Sequence, residues 1–127
     1  FKLVDMSYMN LTEANFNDCR FFGVNLHGAN ASNANFYNAQ FYRTNLWNSC
    51  FYDCNFTKTS LNQSKLHHSF FLKSNFKGST FNDVDAKGAF LVRTETGDMV
   101  ITDSTFNYAH VELDSPFKNT NSTTTVH

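Results

Sequence analysis

An apolar residue stands at almost every fifth position of this chain. Counting from Phe1, the column runs Phe1, Met6, Leu11, Phe16, Phe21, Leu26, Ala31, Phe36, Phe41, Leu46, Phe51, Phe56, Leu61, Leu66, Phe71, Phe76, Phe81, Ala86, Leu91, Thr96, Ile101, Phe106 and Val111, and only Thr96 is not apolar. Of the 15 phenylalanines, 11 fall in it. A second column, two residues earlier, runs from Val4 to Ala109 and holds small or apolar residues without a charge. Neither a helix, with its 3.6-residue period, nor a flat strand, with its period of two, produces such a pattern. In an extended segment the small residue and the large one two later point the same way, and the residue between them points out. An odd period cannot continue that alternation, so the chain must turn a corner once per repeat. The corner falls on the two residues after the central one. Gly23, Gly28, Gly78 and Gly88 occupy the second of these, beside Asn33, Asn38, Asn48, Asp53, Asp83 and Asp98; these residue types tolerate the positive φ of tight turns. Four corners return the chain above its start, giving coils of about twenty residues stacked roughly 4.8 Å apart.

The triplets Ala14-Asn15-Phe16, Ala34-Asn35-Phe36, Cys54-Asn55-Phe56 and Ser74-Asn75-Phe76 carry a resemblance to the pentapeptide-repeat family, whose signature is a small residue, Asn or Asp, Leu or Phe, then two variable residues. The resemblance implies an all-β fold, a right-handed quadrilateral parallel β-helix of about five to six coils over residues 1–112, with 113–127 a polar tail or linker. Lys65, Phe70, Phe90, Val100 and His110 replace the Asn or Asp. The polar run Thr94 to Asp98 suggests a loop or a hairpin-like excursion. Solenoids need caps over their terminal coils. Phe1 is already in phase and no amphipathic helix follows the last repeat, so the chain is expected to be a module of a larger protein.

Composition removes several functions. With 10 Lys and Arg against 11 Asp and Glu, there is no positive excess to draw nucleic acid and no acidic excess to imitate it. No apolar run of 18 residues exists, so membrane insertion by this segment is not expected, and no signal peptide is visible. Three cysteines in 127 residues do not make a disulfide framework. The interior is filled with rings, leaving no place in the core for a small-molecule substrate. His27 and His67 share an outer column with Trp47 between them, roughly 10 Å apart, too far to share a metal ion. Asp83 and Asp85 flank Val84 without facing a cleft, and no inward Ser or Thr has a His and Asp to activate it. The expectation is no enzyme, no metal and no cofactor.

What the fold does not require is an outward aromatic set. Tyr37, Tyr42, Trp47 and Tyr52 each follow a central residue on four successive sides. Phe70 is expected above Phe90, beside Leu72 and Val92, as a contiguous exposed apolar patch, the usual mark of an interaction site. The candidate partner-binding residues are therefore Tyr52, Phe70, Leu72, Phe90, Val92 and Trp47, for a protein partner or a neighbouring domain of the same polypeptide. Similar pentapeptide-repeat modules occur in bacterial secreted effectors, where they bind substrate or host proteins, which implies a cytoplasmic or secreted-effector setting. Two other readings come from similar proteins. One is a glycosylated luminal or extracellular receptor module, for which Asn10, Asn30, Asn55, Asn62 and Asn121 are sequons. The other is a DNA-mimicking, topoisomerase-binding protein like the quinolone-resistance pentapeptide proteins; those imply a strongly acidic surface and a C-terminal dimerising helix, and this chain departs on both counts.

Overall fold

The computed structural model describes residues 1–113 and 125–126. Short strands at a twenty-residue spacing build it: β1 (Arg20–Phe22), β2 (Gln40–Tyr42), β3 (Ser60–Asn62), β4 (Thr80–Asn82), β5 (Phe90–Thr94), β6 (Val100–Thr102), β7 (Thr105–Phe106), β8 (His110–Leu113) and β9 (Thr125–Val126). β1, β2, β3, β4 and β6 form one parallel sheet in that order, with Phe21, Phe41, Leu61, Phe81 and Ile101 in register. The other three sides are held mostly by single parallel bridges at the same spacing, such as Asn35 with Asn55 and Asn55 with Asn75, with the strand pairs β5–β8 on the third side and β7–β9 on the second. The expected quadrilateral β-helix is present, with about five turns, no helix among the described residues, and four sides. We number the sides by their central residues: the first carries Phe41, the second Leu46, the third Phe51 and the fourth Phe56.

Each corner needs a residue in the left-handed region, and the molecule supplies one at every repeat. All 22 positions from 3 to 108, two after each central residue, have φ between 51° and 69°. Only some are the Gly, Asn or Asp that the sequence suggested; Leu3, Tyr8, Arg43, Lys58, His68 and Arg93 adopt it too. Such a residue carries a steric cost of about 1–2 kcal/mol. Stacking holds it there, because its N–H donates to a carbonyl of the next coil, as from Asn33 to Tyr52 at 2.7 Å and from Lys73 to Val92 at 3.0 Å.

On three sides the asparagine of the motif has a local task. Its side-chain oxygen accepts the N–H two residues on, for example from Asn30 to Ser32 at 3.1 Å and from Asn45 to Trp47 at 3.0 Å. Ten residues do this, counting Asp5, Asn10, Asn15, Asn25, Asn30, Asn35, Asn45, Asn55, Asn75 and Asp85. These are Asx turns, which satisfy a backbone donor at the corner. The first side, with Arg20, Gln40, Ser60, Thr80 and Val100 at the same position, has none of them and runs as true strand.

Inside, the rings stack coil on coil. Phe36, Phe56 and Phe76 lie 4.8 Å apart in nearly parallel planes, and Phe21 and Phe41 lie 4.6 Å apart. Above the first coil the small inward column is largely buried as well, and most of its hydroxyls are bonded, though Ser79 Oγ is not: Ser49 Oγ donates to Leu26 O at 2.6 Å and Thr59 Oγ1 to Phe36 O at 2.9 Å. A buried hydroxyl without such a bond would cost about 1–3 kcal/mol, so Ser and Thr serve here as small residues that satisfy themselves.

Two expectations are corrected or bounded. Residues 94–98 make no excursion: Thr94 and Thr96 are buried, Glu95 bridges to Asn75, and Gly78 donates to Gly97 O at 2.8 Å. Backbone pairing fixes the register there, and the Thr94 hydroxyl reaches Phe71 O at 3.4 Å, so polar side chains do not expel the segment. The expected tail over 113–127 lies outside the described residues except at its margins, where Thr125 and Val126 pair in parallel with Thr105 and Phe106, again twenty residues apart. At the opposite end the first coil is bare, with Phe1, Leu3, Val4, Tyr8 and Met9 exposed.

Candidate functional site

The third side has two outward columns. The column before the central residues runs Asn10, Asn30, Cys50, Phe70, Phe90 and His110; the column after them runs Thr12, Ser32, Tyr52, Leu72, Val92 and Glu112. The sheet register places each residue above its predecessor twenty positions back, through Asn30–Cys50, Cys50–Phe70 and Phe70–Phe90 bridges and the Phe90–His110 pair in β5 and β8. From the third coil upward both columns turn apolar. The Phe70 and Phe90 rings stack at 4.8 Å and 10°, and the His110 ring continues the stack at 4.5 Å and 5°. Phe70 remains 37% exposed and Tyr52 40% exposed, which for large apolar side chains on a flat surface makes a contiguous patch. Leu72, Phe90 and Val92 are half-buried beside them.

Of the six residues expected to bind a partner, the structure brings together Tyr52, Phe70, Leu72, Phe90 and Val92. Trp47 stands apart, on the second side. It stacks on His67 at 4.7 Å and 16°, with His27 edge-on at 6.5 Å and Tyr8 packing on His27 below. Among the other outward aromatics, Phe22 stacks on Tyr42 at 5.1 Å on the first side, while Phe117 lies outside the described residues.

The second side carries a close polar contact that the sequence did not disclose. His67 Nε2 lies 2.6 Å from Asp85 Oδ2, joining residues eighteen apart across a coil and a column. Partial burial pushes the Asp85 carboxyl up, but hydrogen bonds from His67, the Lys87 N–H and Thr105 outweigh it and hold the group below the ordinary aspartate value of 3.8. Near it, at the corner between the first and second sides, lies a shallow surface hollow of about 520 Å³ lined by Arg43, Asn45, Trp47, Gln63 and Lys65. Phasing by twenty would have predicted these as neighbours, but not that Arg43 Nε donates to Gln63 Oε1 at 2.9 Å and its guanidinium lies over the Tyr42 ring, opening the space beside it.

The cysteines divide by depth. Cys54 is buried, its thiol donates to Ala31 O at 2.9 Å, and burial pushes it up to about 12, so it is an inert core residue. Cys19 and Cys50 are half-buried and free. Among the described residues no three His, Cys, Asp or Glu converge on a metal position, and no helix is long and apolar enough to cross a membrane, which leaves β-barrels unaddressed.

Comparison with known proteins agrees with this architecture. A model of the pentapeptide repeat region matches residues 1–71, and a model of eight pentapeptide repeats matches residues 54–93. The chain belongs to the pentapeptide-repeat family. Among solved structures it is similar to HetL, involved in heterocyst differentiation regulation in the cyanobacterium Nostoc sp. strain PCC 7120 (TM-score 0.68, 14% identity, covering 86% of this chain and 59% of HetL). It is also similar to QnrB1, a plasmid-mediated fluoroquinolone resistance protein (0.65, 16%, 96% and 69%), and to Rfr23 of the cyanobacterium Cyanothece 51142 (0.54, 21%, 99% and 91%). These identities show the fold alone, and the chain spans 59% of the length of HetL. No curated protein matches the sequence.

Proposed function

We propose that this chain is a non-catalytic protein-interaction module whose contact surface is the upper half of the third side, built from Tyr52, Phe70, Leu72, Phe90 and Val92, and that it works as the partner-binding part of a larger protein such as a secreted effector. One observation carries the reading. At the position where Asn10 and Asn30 close an Asx turn, Phe70 and Phe90 have no side-chain oxygen to offer and present stacked outward rings instead, exposed at Phe70 and half-buried at Phe90. The fold accepts polar residues at this position, so the coil does not require the rings, and a contact outside the coil accounts for them. Clustered aromatic and aliphatic side chains of this kind form the centres of protein interfaces. Trp47, on the neighbouring side, belongs to its own ring column and not to this contact plane.

The other readings have less support. The side-chain oxygens of Asn10, Asn30 and Asn55 are engaged in turns with Thr12, Ser32 and Thr57, so the fold itself accounts for the sequons at these positions. A nearly neutral chain with charges of both signs does not offer the acidic stripe that a DNA mimic needs.

The test is capture of a partner from the cell of origin by the chain and by a Phe70→Ser, Leu72→Ser, Phe90→Ser variant. The variant should keep the circular dichroism of the parent and retain less than a tenth of the bound partner. Equal capture by both would remove the third side from consideration.

A further inference from the structure

One margin of the apolar patch carries charge that the molecule leaves unused. Lys73 and Arg93 follow Leu72 and Val92 directly, at the exposed corner between the third and fourth sides, one coil apart and joined by the Lys73 N–H to Val92 O bond of 3.0 Å. Neither makes an ion pair with a described residue. The contrast with the adjoining fourth side is direct: there Lys77 meets Glu95 at 3.0 Å and is neutralised. Acids mark only the ends of the patch, Asp53 on the coil below and Glu112 on the coil above.

Resting on the proposed interaction surface, we infer that its occupant is a protein segment that presents apolar side chains flanked by carboxylates. The rings of Phe70 and Phe90 with Leu72 and Val92 take the apolar side chains, and Lys73 and Arg93 take the acids along the margin with the fourth side. Opposed charges of this kind steer encounter and set orientation, and their effect falls as salt rises. The patch covers about two coils, on the order of 10 Å along the axis, which suits a short segment bound reversibly better than a broad permanent interface. Nucleic acid and anionic lipid also attract cations, but the observations favour neither. The faces of Phe70 and Phe90 are taken up by stacking on each other and on His110, and Leu72 and Val92 are aliphatic, which leaves bases a poor stacking platform; two cations bracketed by two acids fall short of the clusters of four to eight that hold a protein on an anionic membrane.

The experiment uses the full chain and two fluorescein-labelled twelve-residue peptides, one alternating Leu and Phe with Glu and the other with Lys in place of Glu, read by fluorescence anisotropy at low and high salt. The acidic peptide should bind at least ten-fold more tightly than the basic one, weaken as salt rises, and lose at least ten-fold on Lys73→Glu with Arg93→Glu. That charge-reversed variant, far from the core, should melt like the parent. Equal binding of both peptides, no binding of the acidic one, or no effect of the charge reversal overturns the inference, and so does preferential binding to phosphatidylserine vesicles or to a single-stranded oligonucleotide tested alongside. The two readings fail separately. If Phe70→Ser with Phe90→Ser abolishes partner capture while Lys73→Glu with Arg93→Glu does not alter it, the surface stands and the acidic partner falls. If the acidic peptide binds and the two serine changes leave it unaffected, the surface itself is misplaced.

Discussion

The lower and upper halves of the third side share one backbone and one register, yet their outer faces are unlike. Below, Asn10 and Asn30 close turns with Thr12 and Ser32, whose hydroxyls also donate to the same oxygens at 2.8 Å. Above, Phe70, Phe90 and His110 stack in the open. The inside of the side does not change in the same way: Ala31, Phe51, Phe71 and Leu91 are all fully buried. The solenoid therefore separates two tasks. Inward residues hold the coil, and outward residues can be exchanged without disturbing it.

That separation is most severely tested by adjacent phenylalanines. Phe71 is fully buried and Phe70 is not. Phe71→Ala should cost about 3–5 kcal/mol, whereas Phe70→Ala should cost no more than about 1.5 kcal/mol, the upper end of what an aromatic pair contributes. Urea denaturation of the two variants measures this, and equal losses would show that inside and outside have been confused.

The lower half should depend on its turns. Asn30→Ala removes an acceptor for two donors and is expected to destabilise by about 0.5–1.5 kcal/mol. Conversely, Phe70→Asn trades a ring stack for an Asx turn and should change stability by less than about 1 kcal/mol while abolishing partner capture. A large destabilisation by Phe70→Asn would mean that the ring column is structural, and the contrast between the halves would lose its functional meaning.

A chemical probe sharpens the same division. Cys50 belongs to the outer column of the third side and Cys54 to the inner column of the fourth. With its thiol pushed up to about 12, Cys54 should resist iodoacetamide at pH 8 until the chain unfolds, while Cys50, with the more accessible thiol, is alkylated first. Mass spectrometry of partly labelled protein settles the order; earlier labelling of Cys54 would contradict its burial.

The smallest effect concerns pH. Asp85 occupies on the second side the position that Asn30 occupies on the third, and accepts the Lys87 N–H at 3.2 Å as Asn30 accepts that of Ser32. Its folded-state value lies below the ordinary 3.8, so its contribution is complete above that value and is lost as pH falls through the lower one. Asp85→Asn should keep the turn and flatten stability below about pH 4, with little change near neutrality, because the group is partly exposed and its charge is screened. A variant with the same acid slope as the parent would show that the His67 contact adds nothing.

Much of this was legible in the sequence because a five-residue period is read twenty-three times over. One Phe at one position says little, but a column of them with a small column beside it admits few chain paths, and it placed Phe70 over Phe90 before any coordinates. The polarity of residues 94–98 points to an excursion, but backbone pairing sets their path; Thr96 shows that the ladder carries a polar rung without breaking. The left-handed corners at Leu3, Tyr8, Arg43 and Lys58 were also unreadable, since propensity disfavours them and only hydrogen bonds from the next coil enforce them.

What the sequence determined by itself was the interior: which residues face in, the twenty-residue repeat, and the four sides. Those follow from alternation and burial, which repeat identically in every coil. Contacts between columns were decided only in three dimensions. That His67 finds Asp85, and that Lys77 is paired while Lys73 and Arg93 make no ion pair among the described residues, depend on side-chain reach between columns. The period sets which residues are neighbours, but rotamers and the chain's turn decide which neighbours meet.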